Sequence, residues 1–256
     1  MTDLIPAHSP ERYARQTIMP QIGQAGQAKL AKSSVLLVGL GGLGSPVALY
    51  LAAAGVGHLI LVDDDRVSLS NLQRQVLFDN DSLGQSKIAA ATQRILAINP
   101  EIKVTGVTGM LSPENAESLI GMVDIVADGS DNLKTRYLVN DNCHKMRRTL
   151  VAAAVTGFDG QMTVIKSFDG ENPCYRCLFG GDEAAESGGD IFGDCRGLGV
   201  LGPAAGVMGS LQAVEIIKNI VGIGESLVGK LMMYDSLATE MRMIKYQKRA
   251  GCRGCG

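Results

Sequence analysis

Runs of about four to six apolar residues, ended by glycine, proline or aspartate, alternate with helical periodicity over the first two thirds of this chain. Residues 35–38 form the first run, and a glycine turn leads from it into a helix over about 45–54. Pro46 stands in that helix's first turn and Gly55 at its end, the places these residues favour. Residues 58–62 are the next strand, ending in Asp63-Asp64-Asp65. A helix over 86–98 stops at Asn99-Pro100, because the residue before proline disfavours helix. Residues 102–107, 124–127 and 150–154 read as further strands, with a helix over 133–145 between the last two. Strands separated by helices predict an α/β fold with a Rossmann-like, doubly wound, mainly parallel sheet.

The character changes after about residue 155. Residues 161–167 read as an added strand with no helix before it, and a polar, glycine-rich stretch covers 180–199. Stretches of that length without periodicity usually mark a functional loop. A helix over 203–221 follows, and then 230–234 and 241–246 pair as a C-terminal antiparallel extension. The expected organisation is a helical arm at 1–30, a nucleotide-binding α/β half at 31–160, and a partner-binding and zinc-binding half at 161–256 continuous with it.

Composition narrows the classes. Lys and Arg number 24 against 26 Asp and Glu, so no electrostatic case exists for nucleic acid or an anionic membrane as partner. The stretch 33–62 holds no Asp, Glu, Lys or Arg and has the length of a membrane span, but Gly39, Gly41, Gly42, Gly44 and Pro46 interrupt it. Strand, turn, buried helix and strand explain it better. The charged N-terminus is not a signal peptide, and six cysteines without one point to a reducing, cytoplasmic setting.

Four of those cysteines share one spacing, Cys174-x-x-Cys177 and Cys252-x-x-Cys255. Two such knuckles supply the four thiolates that tetrahedral Zn2+ prefers and leave no open position for catalysis. The expectation is a structural Zn2+ that pins the end of this chain to the body of the fold, with two disulfides as the alternative.

Gly39-x-Gly41-x-x-Gly44 follows a strand and opens a helix, which suits a phosphate held by backbone N–H groups. Asp63 closes the next strand where a ribose-binding carboxylate belongs. These features alone suit an NAD(P)-dependent oxidoreductase. Asp65, Asn71, Gln73, Arg74 and Lys87 follow within a short span, and two cations near a glycine loop suit a triphosphate better than a dinucleotide. Asp128 and Asp131 lie beyond the strand at 124–127, where a carboxylate would hold Mg2+ together with phosphates.

Motifs in order along nearly the whole chain then resemble the ThiF/MoeB/HesA family, bacterial relatives of the ubiquitin-activating enzymes. They are Arg12-Tyr13-Ala14-Arg15-Gln16, the GLGGLGS of 39–45, Asp63 with Asp65, the SNLQRQ of 70–75, Gly84 with Lys87, and Asn99-Pro100. Ser130-Asp131-Asn132 with Arg136, Tyr175-Arg176-Cys177, the segment 195–209 and the last cysteine pair complete the match. The resemblance implies ATP-dependent adenylation of a ubiquitin-like sulfur carrier protein ending in Gly-Gly. It implies that Gly42 touches the nucleotide by its backbone, Asp63 binds the ribose, and Asn71, Arg74 and Lys87 surround the phosphates, with Asp65, Ser70, Leu72, Gln73 and Asn132 also among the cofactor-binding positions. Asp131 would hold Mg2+, and Arg15 would reach ATP in the other subunit of a homodimer. Arg12 and Arg15 read equally well as paired charges on one helical face.

The resemblance makes Cys195, in Asp194-Cys195-Arg196, the candidate for a covalent link to the activated carrier; an adjacent arginine favours the thiolate. An idle loop cysteine is the alternative. Cys143 is expected to pack against the sheet and His144 to end a helix. Residues 63–65, 156–158 and 195–203 lean to thiamine-type sulfur transfer, while Met233-Tyr234-Asp235 leans to activation of the molybdopterin-synthase small subunit. No sulfurtransferase segment follows the last cysteine pair, so a separate sulfur donor protein is expected. A noncatalytic scaffold that binds a ubiquitin-like partner is the remaining alternative.

Overall fold

The computed structural model describes residues 10–180 and 199–256. Eight strands form one sheet: β1 (Ser34–Val38), β2 (His58–Asp63), β3 (Lys103–Thr108), β4 (Ile125–Asp128), β5 (Thr149–Thr156), β6 (Asp159–Ile165), β7 (Lys230–Asp235) and β8 (Glu240–Lys245). Their spatial order is β3-β2-β1-β4-β5-β6-β7-β8. The pairs from β3 to β5 are parallel, and those from β5 to β8 are antiparallel. The doubly wound sheet with its antiparallel extension is therefore as expected.

Among the described residues the α-helices are α1 (Ala14–Thr17), α2 (Gly23–Lys32), α3 (Gly44–Ala54), α4 (Lys87–Ile98), α5 (Ala116–Gly121), α6 (Leu133–Lys145), α7 (Tyr175–Phe179) and α8 (Gly202–Val221). The period-two side-chain alternation of strands builds two cores. On one face Val35, Leu37, Leu59, Leu61, Val151 and Ala153 pack with residues of α3, α4 and α8. On the other, Leu36, Val38, Ile60, Val62, Leu150 and Ala152 pack with α5, α6 and the first cysteine pair. The chain order reverses between β1 and β4, which makes their carboxyl ends the switch point where ligands of such sheets bind.

The arm expected at 1–30 holds α1 and most of α2, while the short helices α5 and α7 escape the hydrophobic pattern. α2 buries Gly26, Gln27 and Leu30 and is tied to α8 by Lys29, whose Nζ donates to the Val221 carbonyl at 2.5 Å. α5 has only six residues, too few for a readable period. Among the described residues no helix is long and apolar enough to cross a membrane, and the uncharged stretch is β1, α3 and β2. Cys195, and all but the ends of the glycine-rich stretch, lie outside the described residues.

Candidate functional site

The glycine turn is shaped by two close approaches. A Cβ on Gly44 would stand 2.1 Å from the Gly39 carbonyl oxygen, so only glycine lets the turn close onto α3. A Cβ on Gly42 would meet Ala205 of α8 at 3.2 Å and the Arg74 side chain at 3.4 Å, which places the loop under both. Asp63 locks the turn: its Oδ2 accepts from Leu40 N–H at 2.7 Å and its Oδ1 from Asp65 N–H at 2.9 Å.

A cleft of about 380 Å³ opens over this turn at the switch point. Gly42, Asp63, Asp65, Asn71, Arg74, Lys87, Asp131 and Asn132 all line it. Ser70, Leu72 and Gln73 are not part of the wall. Residues 69–71 form a single 3-10 turn, whose tight winding sends neighbours in different directions. Leu72 packs on the core, while Ser70 and Gln73 face solvent.

Lys87 is the cleft's most costly residue. It is only 3 % exposed and begins α4, where the positive end of the helix dipole disfavours a cation. Its Nζ reaches Asp65 Oδ2 at 2.7 Å, but that carboxylate is mostly in solvent and compensates poorly for burial. Arg74 is half-buried, with Nη1 donating to the Ser70 carbonyl at 3.1 Å. Asp131 is exposed at the end of the loop into α6, just before the cap. Asn132 caps α6 by accepting from Thr135 N–H at 2.9 Å, so only its amide NH2 is left to face a ligand. Two further wall atoms, Gln75 Oε1 and Ser130 Oγ, are buried without a partner among the described residues. Buried polar atoms of that kind call for a polar ligand or water. Gln75, Ser130 and Arg136 are wall residues that the sequence motifs contain without marking as site residues.

Arg15 is exposed on α1 and is not part of the cleft wall. Arg12 does not pair with it on a helical face. It lies before α1, and its guanidinium donates to the Ile98 carbonyl at 2.9 Å and to Glu101 at 3.3 Å. Beside it Tyr13 is buried, its hydroxyl accepting from Asn99 Nδ2 at 2.8 Å.

The four cysteines converge on the other side of the sheet. Their sulfurs lie within 4.8 Å of one another, with Cys174–Cys177 at 3.8 Å, Cys174–Cys252 at 3.6 Å and Cys177–Cys255 at 3.5 Å. Disulfide sulfurs would be about 2 Å apart, whereas a tetrahedron with Zn–S bonds of about 2.3 Å spaces them by about 3.8 Å. The cluster therefore fits Zn2+ and not two disulfides. Burial pushes the Cys174 and Cys255 thiols up, so a metal must displace protons to bind. Arg249 N–H lies 3.4 Å from Cys177 Sγ, a donor toward the charge the thiolate would carry. Cys143 is buried in the second core, where desolvation first and the charge of Asp128 second raise its pKa well above the ordinary range. That suits packing and not reactivity.

Comparison with known proteins agrees with this architecture. The model of the ThiF family matches residues 13–254. The chain is 42% identical to the sulfur carrier protein ThiS adenylyltransferase of Escherichia coli, over 96% of this chain and 94% of that one. It is 43% identical to the sulfur carrier protein adenylyltransferase of Thermus thermophilus, over 96% of this chain and 90% of the relative. Adenylyltransferase and sulfurtransferase MOCS3-1 of Zea mays is 43% identical over 98% of this chain, which spans about half (53%) of that relative's length. The crystal structure of E. coli MccB with ATP superposes with a TM-score of 0.81 at 24% identity, covering 98% of this chain and 75% of the other, a likeness of fold. With the family's match running from α1 to the last cysteine pair, the chain belongs to the ThiF family.

Proposed function

We propose that the protein adenylates the C-terminal glycine carboxylate of a ubiquitin-like sulfur carrier protein at the expense of ATP. Lys87 carries the reading: a buried cation at a helix N-terminus, on the wall of a glycine-loop cleft, is stabilised fully only by an anionic ligand. The two bacterial relatives named as sulfur carrier protein adenylyltransferases support the substrate class. A dinucleotide cofactor carries a diphosphate that the glycine turn and the start of α3 would hold by themselves, whereas the longer chain of a triphosphate also matches Lys87 and Arg74.

In this reading Gly42 lets the loop approach the nucleotide and Asp63 faces the ribose. Asn71, Arg74 and Lys87 hold the phosphates. Asp131 offers the hard oxygen donor that Mg2+ prefers, and Mg2+ would spread the charge of the phosphates when bound. The carrier carboxylate attacks the α-phosphorus, the bond to the β,γ-phosphates breaks, and pyrophosphate leaves with that bonding pair. The acyl-adenylate remains. Positioning and charge neutralisation by the cleft supply the catalysis, so no protein nucleophile is needed in this step.

We place the nucleotide in the 31–160 half and the carrier on the 161–256 half. The thiamine-type carrier is favoured over the molybdopterin-type one, with Cys195 the candidate for a later covalent link. A homodimer in which Arg15 serves the other subunit's ATP, and a cytoplasmic setting, complete the proposal.

ATP–pyrophosphate exchange with Mg2+ tests it, run with each candidate carrier and with carriers lacking Gly-Gly. Exchange should depend on one carrier and its tail. Lys87→Ala and Arg74→Ala should each lower it by about a hundredfold or more with the fold intact. Near-normal exchange in either variant removes that residue from the phosphate site, and no exchange with either carrier removes the proposal.

A further inference from the structure

Arg136 belongs to both sides of the molecule. Its Nη2 donates to the Ser130 carbonyl at 2.6 Å, one residue before Asp131 in the cleft wall. Its Nη1 donates to the Tyr175 hydroxyl at 3.1 Å, and Tyr175 sits between Cys174 and Cys177. Arg136 is 9 % exposed and Tyr175 2 %, so water cannot easily replace either bond.

The rest of the cysteine knuckle rides on the same helix. Asn140 Oδ1 accepts from Tyr175 N–H at 2.8 Å. Arg176 forks onto the Asp141 carboxylate at 2.7 and 2.9 Å and lies 4.3 Å from the Tyr137 ring centroid. Residues 136, 137, 140 and 141 share one face of α6 because residues four apart stack. The loop that starts α6 is fixed from its other side too, since Ser130 N–H donates to the buried Asp128 Oδ1 at 2.9 Å. Ser130 is thus gripped between a carboxylate on β4 and a guanidinium oriented by the knuckle.

We propose that the Tyr175–Arg136 contact transmits the state of the four-cysteine centre to the Ser130–Asp131 wall, so that a filled centre raises the cleft's affinity for a magnesium–nucleoside triphosphate. Arg136 and Tyr175 act here as positioning residues. Loss of the hydroxyl frees a buried guanidinium to turn toward another acceptor, which loosens its hold on Ser130. The inference rests on the nucleotide reading given above.

Wild type and Tyr175→Phe, each with zinc and after chelation, form the test. Phenylalanine keeps the ring beside Tyr137 and Phe179 and removes only the hydroxyl. Zinc-loaded Tyr175→Phe should keep its metal by elemental analysis and bind MgATP about five- to tenfold more weakly by calorimetry. Adenosine, which carries no phosphates to meet that wall, should bind as before. Chelation should weaken MgATP binding by wild type similarly and add little in the variant, as coupled sites are non-additive. If the stripped protein unfolds, the zinc-loaded pair decides alone. Wild-type MgATP affinity in zinc-loaded Tyr175→Phe overturns the inference, as does an equal loss of MgATP and adenosine. Failure of wild type itself to bind MgATP is a separate result that removes the nucleotide reading and this inference with it.

Discussion

The parallel and antiparallel halves of the sheet hold their shape by different means. β1, β2 and β4 are covered on both faces, with Val35, Leu36, Leu59, Ile60, Leu61 and Val126 fully buried. β8 is exposed at all six of its positions, and Met241, Met243 and Ile244 stand open. Burial of large side chains stabilises by roughly 1.5–3 kcal/mol each, so the parallel half needs no cross-link. The last residues of the chain bury little, and their anchor is the sulfur cluster that joins Cys252 and Cys255 to Cys174 and Cys177. The contrast explains where each kind of chemistry sits. A rigid, doubly covered half can carry a buried lysine in a cleft, and a thinly packed half takes a metal as a staple.

Metal removal should break the comparison most visibly. Structural zinc contributes about 10–16 kcal/mol of apparent binding energy in small peptides, an upper bound for this cluster. Cys252→Ser, or chelation of wild type, should expose residues after β7 to protease while the helical circular dichroism of the parallel half persists. Limited proteolysis read by mass spectrometry checks this. Unchanged cleavage would show that strand pairing, and not the cysteines, holds the chain end.

A smaller effect belongs to the parallel half. Gly44→Ala drives a methyl into the Gly39 carbonyl and should cost about 1–3 kcal/mol, with a larger loss in nucleotide affinity because the turn itself must move. Gly206→Ala is the control, since a Cβ there meets nothing within 4 Å on α8. It should be neutral or stabilising by about 0.5–1 kcal/mol, as expected for glycine to alanine inside a helix. Equal urea midpoints for the two variants would mean that the glycine turn tolerates strain.

This division also governs what the sequence revealed. Strand alternation, with Pro46, Gly55 and Asn99-Pro100 as punctuation, made the parallel half legible because its order is set by local pattern and burial. Asp63, Arg74, Lys87 and Asp131 were legible as a group because successive strand ends deliver them to one edge. Helix α2 was legible only as part of a helical arm, and its docking on α8 was not, since that contact comes from nearly two hundred residues away. Nor was the place of Ser70, Leu72 and Gln73, which depends on how one short turn winds. Arg136 stood in a recognised motif, yet its link to Tyr175 spans 39 residues and no local pattern encodes it.

The smallest predicted effect separates folding from binding at one residue. Asn132 caps α6 and also lines the cleft, so loss of function in a simple truncation would be ambiguous. Asn132→Ala should cost about 1 kcal/mol in stability, the usual worth of such a cap. Asn132→Ser should return that stability, because a serine hydroxyl also accepts from the third helical N–H. The serine variant lacks the amide NH2, which stands 3.4 Å from Asp131 Oδ1 and is the only part of the side chain left for a ligand. A severalfold weaker MgATP affinity with wild-type stability would give Asn132 a place at the nucleotide. Affinity that returns together with stability would make it a cap alone and narrow the binding wall to Asp131.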